Sequence, residues 1–162
     1  MSEDANLLIV WHSRTGGAEA MAGAAAVGAA GRARLIQCDE AGPNDLLAAG
    51  AYLFVCPENL ASMSGAMKEF FDRCYYPVLG RIEGRGFATA IAAGSDGEGA
   101  TRQIDRIATG WRLKRVTDPL IVNFTAQTPE EIMAPKVLSA EDEKTCRDLG
   151  AALAEGLTLG IF

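Results

Sequence analysis

The feature that most constrains this fold is an apolar run that ends abruptly in small and hydroxylated residues. Residues 7–11 (Leu-Leu-Ile-Val-Trp) are followed by His-Ser-Arg-Thr-Gly-Gly at 12–17 and then by an alanine-rich segment of helical character. This order is typical of a buried strand, a tight turn and a helix N-terminus. Free backbone N–H groups and the positive end of the helix dipole favour an anion at such a turn.

The residues of this first loop suit a phosphate. Ser13 and Thr15 add hydroxyl donors, and Gly16 and Gly17 allow the backbone to approach a ligand closely. We therefore predict that the loop holds the phosphate of a mononucleotide cofactor. The same residues also fit a helix start without a ligand, because Ser and Thr cap helices. Arg14 either pairs with the phosphate or points to solvent.

Composition narrows the function classes. The 162 residues fit one domain, 1–162, and alanine inflates the hydrophobic fraction of 49%. No run approaches the ~20 strongly apolar residues of a spanning helix, and the acidic segment 1–6 is unlike a secretory signal. We therefore expect a cytoplasmic protein. The net charge of −6 argues against nucleic acid or a membrane as partner, but not against one anionic cofactor.

The four cysteines are far apart, and the chain has one histidine. No metal cluster can be assembled by spacing, so no metal site is predicted and the cysteines are expected to be reduced core residues. His12 has no acidic neighbour in sequence and is expected to be structural. We predict no catalytic side chain.

Strands and helices alternate along the chain. Strands are predicted at 6–12, 34–38, 52–56, 87–93 and 120–124, with Pro57 stopping the third and Pro119 at an edge or strand start. Two of the intervening helices carry apolar residues at i, i+3, i+4, i+7 spacing; these are Met67, Phe70, Phe71 and Cys74, then Ile104, Ile107, Ala108 and Trp111. The pattern predicts an α/β fold, a flavodoxin-like doubly wound five-stranded parallel sheet of order 2-1-3-4-5 with helices on both faces.

In such sheets ligands bind beyond the carboxyl ends of the strands, so the loops after strands 1, 3 and 4 matter most. The loop 57–65 mixes amides, hydroxyls and apolar groups, which suits a planar heterocycle, although a turn capped by Ser62 or Ser64 is the alternative. The loop 94–99 reads G-x-x-G-x-G, and Asp96 and Glu98 would repel a phosphate. It is expected to meet a neutral ring or to stay solvated. Tyr75 and Tyr76 fit packing, an interface or ligand contact equally well.

Together these loops resemble those of the flavodoxin superfamily. They are most similar to the FMN-binding NAD(P)H-dependent oxidoreductases and to quinone reductases of the tryptophan-repressor-binding-protein type. The resemblance is carried by residues 13–18, by the block from Pro57-Glu58-Asn59 through 63–73, and by 94–97 and 160–162, and the block from 57 through 73 is its most specific part.

The resemblance implies FMN bound non-covalently, NAD(P)H as co-substrate, and hydride transfer by the flavin to a quinone or similar small acceptor. A homo-oligomer is left open. The implied phosphate contacts are Ser13, Arg14, Thr15, Gly16, Gly17 and Ala18. The implied contacts with the flavin ring are Pro57, Glu58, Asn59, Leu60, Ala61, Ser62, Met63, Gly94, Ser95, Asp96, Gly97 and Gly99.

The sequence departs from this family pattern in three ways. The family often has a hydroxyl residue where Ala18 stands, which predicts weaker FMN binding unless Arg14 compensates. Neither ring loop contains the Trp or Tyr that stacks on the flavin of electron-carrier flavodoxins, which favours a reductase. The insertion associated with quinone sites and tetramers is absent.

Two alternatives remain from the sequence. One is a one-electron carrier without its own NAD(P)H activity, and the other is a binding module that has lost FMN. A phospho-receiver is disfavoured because strand 1 ends in His12 and Ser13 rather than in carboxylates. A low-molecular-weight phosphatase is disfavoured because no cysteine begins the first loop.

Overall fold

The computed structural model describes residues 6–162; residues 1–5, most of the acidic segment used above to argue against a secretory signal, lie outside the described residues. The strands are β1 (Leu7–Trp11), β2 (Ala33–Gln37), β3 (Ala51–Asn59), β4 (Ser62–Met63), β5 (Gly86–Ala93), β6 (Lys114–Arg115) and β7 (Leu120–Asn123). The helices are α1 (Gly17–Gly28), α2 (Pro43–Ala48), α3 (Gly65–Val78), α4 (Glu98–Gly110), α5 (Pro129–Met133) and α6 (Ala140–Thr158).

The main strands form a parallel sheet in the order β2-β1-β3-β5, with β6 and β7 both pairing with β5 at the edge. When the short antiparallel strand β4 is set aside, this is the predicted order 2-1-3-4-5, with the fifth strand split into two segments. The predicted flavodoxin-like α/β fold is therefore confirmed. Pro119 lies immediately before β7, at the strand start and sheet edge where the sequence placed it.

Alternate residues of the strands point to opposite faces of the sheet and pack in two separate hydrophobic cores. On β1, Leu8 and Val10 pack with α2, α3 and α4, whereas Leu7 and Ile9 pack with α1 and α6. This alternation follows from the two-residue period of a strand. Because both faces are covered, β1 and β3 are almost uniformly apolar, as expected for parallel sheets.

The predicted helix faces are confirmed. Met67, Phe70, Phe71 and Cys74 on α3 are all buried. On α4, Ile104, Ala108 and Trp111 are buried and Ile107 is partly so. Each fully buried large apolar side chain contributes roughly 1.5–3 kcal/mol to folding, so these stripes hold both helices to one face of the sheet.

The prediction that Pro57 stops the third strand is wrong. β3 continues to Asn59, and Pro57 pairs in register with Ala92 of β5. The Val55 carbonyl accepts from the His12 amide on the β1 side, so Pro57, two residues further, also faces that side. β1 has ended at Trp11, and the N–H that proline lacks has no strand to meet.

All four cysteines are free and buried, as predicted. Burial raises the pKa of the Cys56 thiol to about 12 and that of Cys146 to about 11. Both thiols therefore stay protonated and unreactive at neutral pH. Among the described residues no cluster of three or more potential metal ligands occurs, and no described helix is long and apolar enough to cross a membrane.

Candidate functional site

The loops after β1, β3 and β5 meet at the carboxyl edge of the sheet and enclose a cleft of about 370 Å³. This volume lies within the range of small-molecule sites. Its lining is formed by Ser13, Arg14, Thr15, Gly17, Ala18, Pro57, Glu58, Asn59, Leu60, Ala61, Ala92, Ala93, Gly94, Ser95, Phe124, Ala126, Ile132 and Lys136. Three sequence-distant loops thus converge where the topology predicts a ligand.

The first loop ends at the N-terminus of α1, where a glycine is the N-cap residue. Gly16 is the N-cap of α1 with φ 95° and ψ −11°, a left-handed conformation that glycine adopts without a steric penalty. The Ser13 hydroxyl accepts from the Gly16 amide at 3.0 Å and fixes the turn. Among the described residues, the side-chain acceptor at this turn is Ser13, which takes the Gly16 amide, and the first backbone amide bonded within the helix is that of Ala20, so the amides of Gly17 to Glu19 have no acceptor. The first turn of α1 is therefore a set of free donors at the positive end of a helix.

The second loop is a tight hairpin rather than an irregular loop. Glu58 and Asn59 pair with Met63 and Ser62 of β4, and the two connecting residues, Leu60 and Ala61, have φ 53° and 61°. Two positive φ values in sequence match a type I′ turn, which normally uses glycine or asparagine. The backbone strain is thus placed at the rim of the cleft, where the Leu60 side chain is fully exposed.

The third loop is held by a carboxylate from the second. Glu58 Oε1 accepts from the Gly97 amide at 2.8 Å, and Oε2 accepts from the Ala100 amide at 3.0 Å. Gly97 is the left-handed N-cap of α4, with φ 91° and ψ −16°. Glu58 therefore fills the anion-binding end of α4 from within the chain.

Close backbone packing reinforces this contact. A Cβ at Gly99 would collide with the Ala61 carbonyl oxygen, so only glycine lets the hairpin lie against α4. The Gln103 side-chain oxygen accepts from the Ser62 hydroxyl and from the Met63 amide, each at 2.8 Å. The hairpin and α4 form one rigid wall of the cleft.

Most of the predicted site residues line the cleft, and six do not. Gly16 and Gly97 act as N-caps, Ser62 binds Gln103 of α4, Gly99 of α4 packs against the hairpin, Met63 is buried, and Asp96 is exposed in the third loop. The ligand contacts assigned to all eighteen residues stay predictions.

Sequence reasoning missed the lining residues Ala92 and Ala93 at the end of β5 and those that follow β7. Phe124 packs its ring on the start of α1, 2.9 Å from the position a Cβ at Gly17 would take. Lys136 reaches the first loop from beyond α5. The start of α5 has a local signal in the sequence, with Pro129 at the first helical position and a capping box formed by Thr128 and Glu131. No local pattern shows that the chain after α5 returns to the first loop.

His12 has a structural contact, as expected. Its Nδ1 lies 2.8 Å from the buried Ser64 hydroxyl. Partial burial, followed by the positive charge of Arg14, lowers the pKa of His12 below its ordinary value, while Asp39 acts in the opposite direction. Ser64 stands at the N-cap of α3, but its hydroxyl makes no capping bond.

Tyr75 and Tyr76 lie apart from the cleft. They line a groove of about 450 Å³ between α3 and α4, together with Lys68, Phe71, Asp72, Ile107, Gly110 and Trp111. The Tyr75 and Tyr76 rings contact each other with centroids 5.0 Å apart. Neither tyrosine can contact a ligand in the cleft.

No protein-family model matches the chain. It is 30% identical to a flavodoxin from Aquifex aeolicus (strain VF5), over 94% of this chain and 87% of that protein. The chain belongs to the flavodoxin family. The resemblance inferred from the loop residues is thereby confirmed.

Solved structures agree on this flavodoxin fold. A flavodoxin from the domain Archaea superposes with a TM-score of 0.74, at 18% identity, over 94% of this chain and 98% of that one. The WrbA-like flavodoxin of Agrobacterium tumefaciens superposes with a TM-score of 0.72, at 24% identity, over 96% and 98%. The two likenesses cover the whole length of single-domain flavodoxins.

Proposed function

We propose that this flavodoxin-family protein binds FMN in the cleft and carries electrons. The observation that carries the proposal is the first turn of α1, whose amides open into the cleft with no internal acceptor among the described residues. A phosphate group is one of the anions that such a helix start accommodates.

The residues present fit FMN from end to end. The amides of the first α1 turn and the hydroxyls of Ser13 and Thr15 would donate to the phosphate. The hairpin from Glu58 to Ala61 and the segment Gly94–Ser95 border the remaining length of the cleft, where a flat ring would lie between them. When bound, the flavin supplies the redox chemistry, and the chain supplies orientation and electrostatics.

The Glu58 contact keeps the ring end of the cleft in place. Because its carboxylate is already bound to two amides of α4, it does not need to move when a ligand enters. A pre-formed wall reduces the ordering cost of binding.

A second candidate is an FMN-dependent oxidoreductase that takes hydride from NAD(P)H and passes it to a quinone or similar acceptor. It is favoured by the absence of Trp and Tyr from the described residues that line the cleft, where Phe124 is the one aromatic. The hairpin tip bears the aliphatic Leu60 instead. A ring face not covered by an aromatic side chain leaves room for a nicotinamide.

Fluorescence titration of the purified protein with FMN tests the cofactor. We expect saturable quenching of the flavin fluorescence, with riboflavin binding more weakly because it lacks the phosphate. Absence of binding at tens of micromolar FMN would contradict the proposal.

Anaerobic stopped-flow mixing of the FMN-loaded protein with NADH or NADPH separates the two candidates. A carrier stays oxidised until a partner reductase is added, whereas a reductase bleaches the flavin absorption with either nucleotide alone. A later quinone pulse should then reoxidise the reductase.

A further inference from the structure

The chain beyond β7 returns to the first loop at Lys136. The Lys136 amide donates to the Thr15 carbonyl at 2.8 Å. Its side-chain Cβ lies 3.3 Å from the position that a Cβ at Gly17 would take. Lys136 therefore rests directly on the first turn of α1, and it lines the cleft.

The Lys136 ammonium is held in place by neutral acceptors. Nζ lies 2.7–2.9 Å from the carbonyl oxygens of Glu131, Ile132 and Ala134, and 3.4 Å from the Thr15 hydroxyl. These carbonyls fix its position but carry no formal charge. The ion pairs found among the described residues include Lys68 with Asp72 and Lys144 with Asp148, but none involves Lys136.

Among residues 6–162, Lys136 is thus a half-buried cation without a salt bridge beside the positive end of a helix. Both groups raise the electrostatic potential at Thr15, and in partly buried surroundings such charges are weakly screened. The nearby carboxylate of Glu131 accepts from the Gln127 and Thr128 amides, which hold its pKa below the ordinary value. Glu58 is held by α4.

We propose that Lys136 completes the phosphate subsite of this cleft and makes binding selective for the phosphorylated flavin over riboflavin. The inference rests on the proposed function. The ammonium supplies the attraction that the missing hydroxyl at Ala18 does not. Nζ also lies 3.4 Å from the Thr15 hydroxyl oxygen, and the Thr15 hydroxyl keeps its own proton to donate to the phosphate.

The test compares FMN and riboflavin binding in the wild-type protein, K136M, K136R and the control K144M. Methionine keeps a long apolar side chain over Gly17 but removes the charge. We expect K136M to weaken FMN binding about tenfold and to leave riboflavin binding within about twofold. Added salt should weaken FMN binding less in K136M than in the wild type. K136R should recover much of the selectivity, and K144M should match the wild type.

Equal weakening of both flavins in K136M would show a purely structural role and overturn the proposal, as would unchanged binding of both. Thermal unfolding with inorganic phosphate separates this inference from the assignment of FMN. If the wild type binds neither flavin, the FMN assignment fails. The anion subsite then stands only if phosphate raises the wild-type Tm more than the K136M Tm, and an equal or absent shift overturns it too.

Discussion

Helices α1 and α4 begin alike at the same edge of the sheet, but their N-termini are satisfied differently. Each has a glycine N-cap in the left-handed conformation, Gly16 with φ 95° and Gly97 with φ 91°. The α4 terminus receives the Glu58 carboxylate. Among the described residues, the α1 terminus receives the uncharged Ser13 hydroxyl, which accepts from the Gly16 amide, and no carboxylate. The same local geometry therefore binds an internal carboxylate at α4, and at α1 it leaves the amides available to the phosphate that we propose.

The difference also explains why glycine and acidic residues sit together near α4. The sequence of this loop, with Gly94, Gly97, Gly99 and Asp96, predicts either contact with a ligand or exposure to solvent. The structure shows that Gly99 lets the hairpin approach the helix and that the Gly97 amide donates to the Glu58 carboxylate. Four experiments follow. Those on Ser13, Glu58 and Ala18 test whether the internal carboxylate is what distinguishes the two helix termini, and the one on His12 measures the pH dependence of stability beside α1.

The strongest test gives α1 a carboxylate of its own through S13D. Aspartate can accept from the Gly16 amide as Ser13 does, and its charge would then repel the phosphate. We expect FMN binding to weaken about 100-fold, measured by fluorescence titration. S13N, which keeps the acceptor without the charge, is the control. Similar affinities for S13D and S13N would show that the α1 terminus does not hold the phosphate.

The converse test removes the carboxylate from α4 through E58Q. The glutamine NH₂ group would face an amide donor, so we expect the free energy of unfolding to fall by about 1–2 kcal/mol. Urea denaturation measures this loss. E98Q, an exposed change in the first turn of α4, should stay within about 0.5 kcal/mol of the wild type. If E58Q is no less stable than E98Q, Glu58 does not serve as the internal anion.

A smaller gain is expected from A18S. Ala18 lines the cleft and is 2% exposed, so a serine there adds one hydroxyl beside the free amides of α1. We expect FMN to bind about fivefold more tightly. Ala20 lies outside the cleft lining, and A20S is the matched control. An A18S affinity no higher than that of A20S would mean that the added hydroxyl does not reach the phosphate.

The smallest effect concerns His12, at the end of β1 beside the α1 terminus. Its pKa is lowered in the folded state by burial and then by Arg14. The neutral form is therefore favoured by folding, and its contribution is fully present above pH 6.5, the ordinary value. It is lost as the pH falls below that value towards the folded-state pKa.

Urea denaturation of the wild type and of H12N across this range measures the contribution. The wild type should lose stability below pH 6.5, and H12N should show a shallower loss. Parallel pH dependences for the two proteins would assign the effect to other groups.

The sequence predicted the fold because its main determinants are local. The spacing of Met67, Phe70 and Phe71 specifies one buried helix face, and the uniform apolar run of β1 specifies a strand covered on both sides. The alternation of such elements then leaves few topologies.

The parts that failed depend on tertiary neighbours. Pro57 normally ends a strand, but here its missing N–H faces a side where β1 has already stopped. The hairpin turn at Leu60–Ala61 uses residues that turn preferences do not select, since both adopt positive φ. Lys136 lies 121 residues from Thr15 in the sequence, and no local pattern brings the two together.

The split outer edge of the sheet has a consequence for self-association. At this edge two residues of β6 and four residues of β7 pair with β5. The segment between them is not paired with the sheet and ends at Pro119, which has no N–H to donate. An unbroken exposed edge would present a template on which strands of other molecules could add. Here the interruption shortens that template below the most common strand length of about 5–6 residues, so this edge resists the strand addition that starts aggregation.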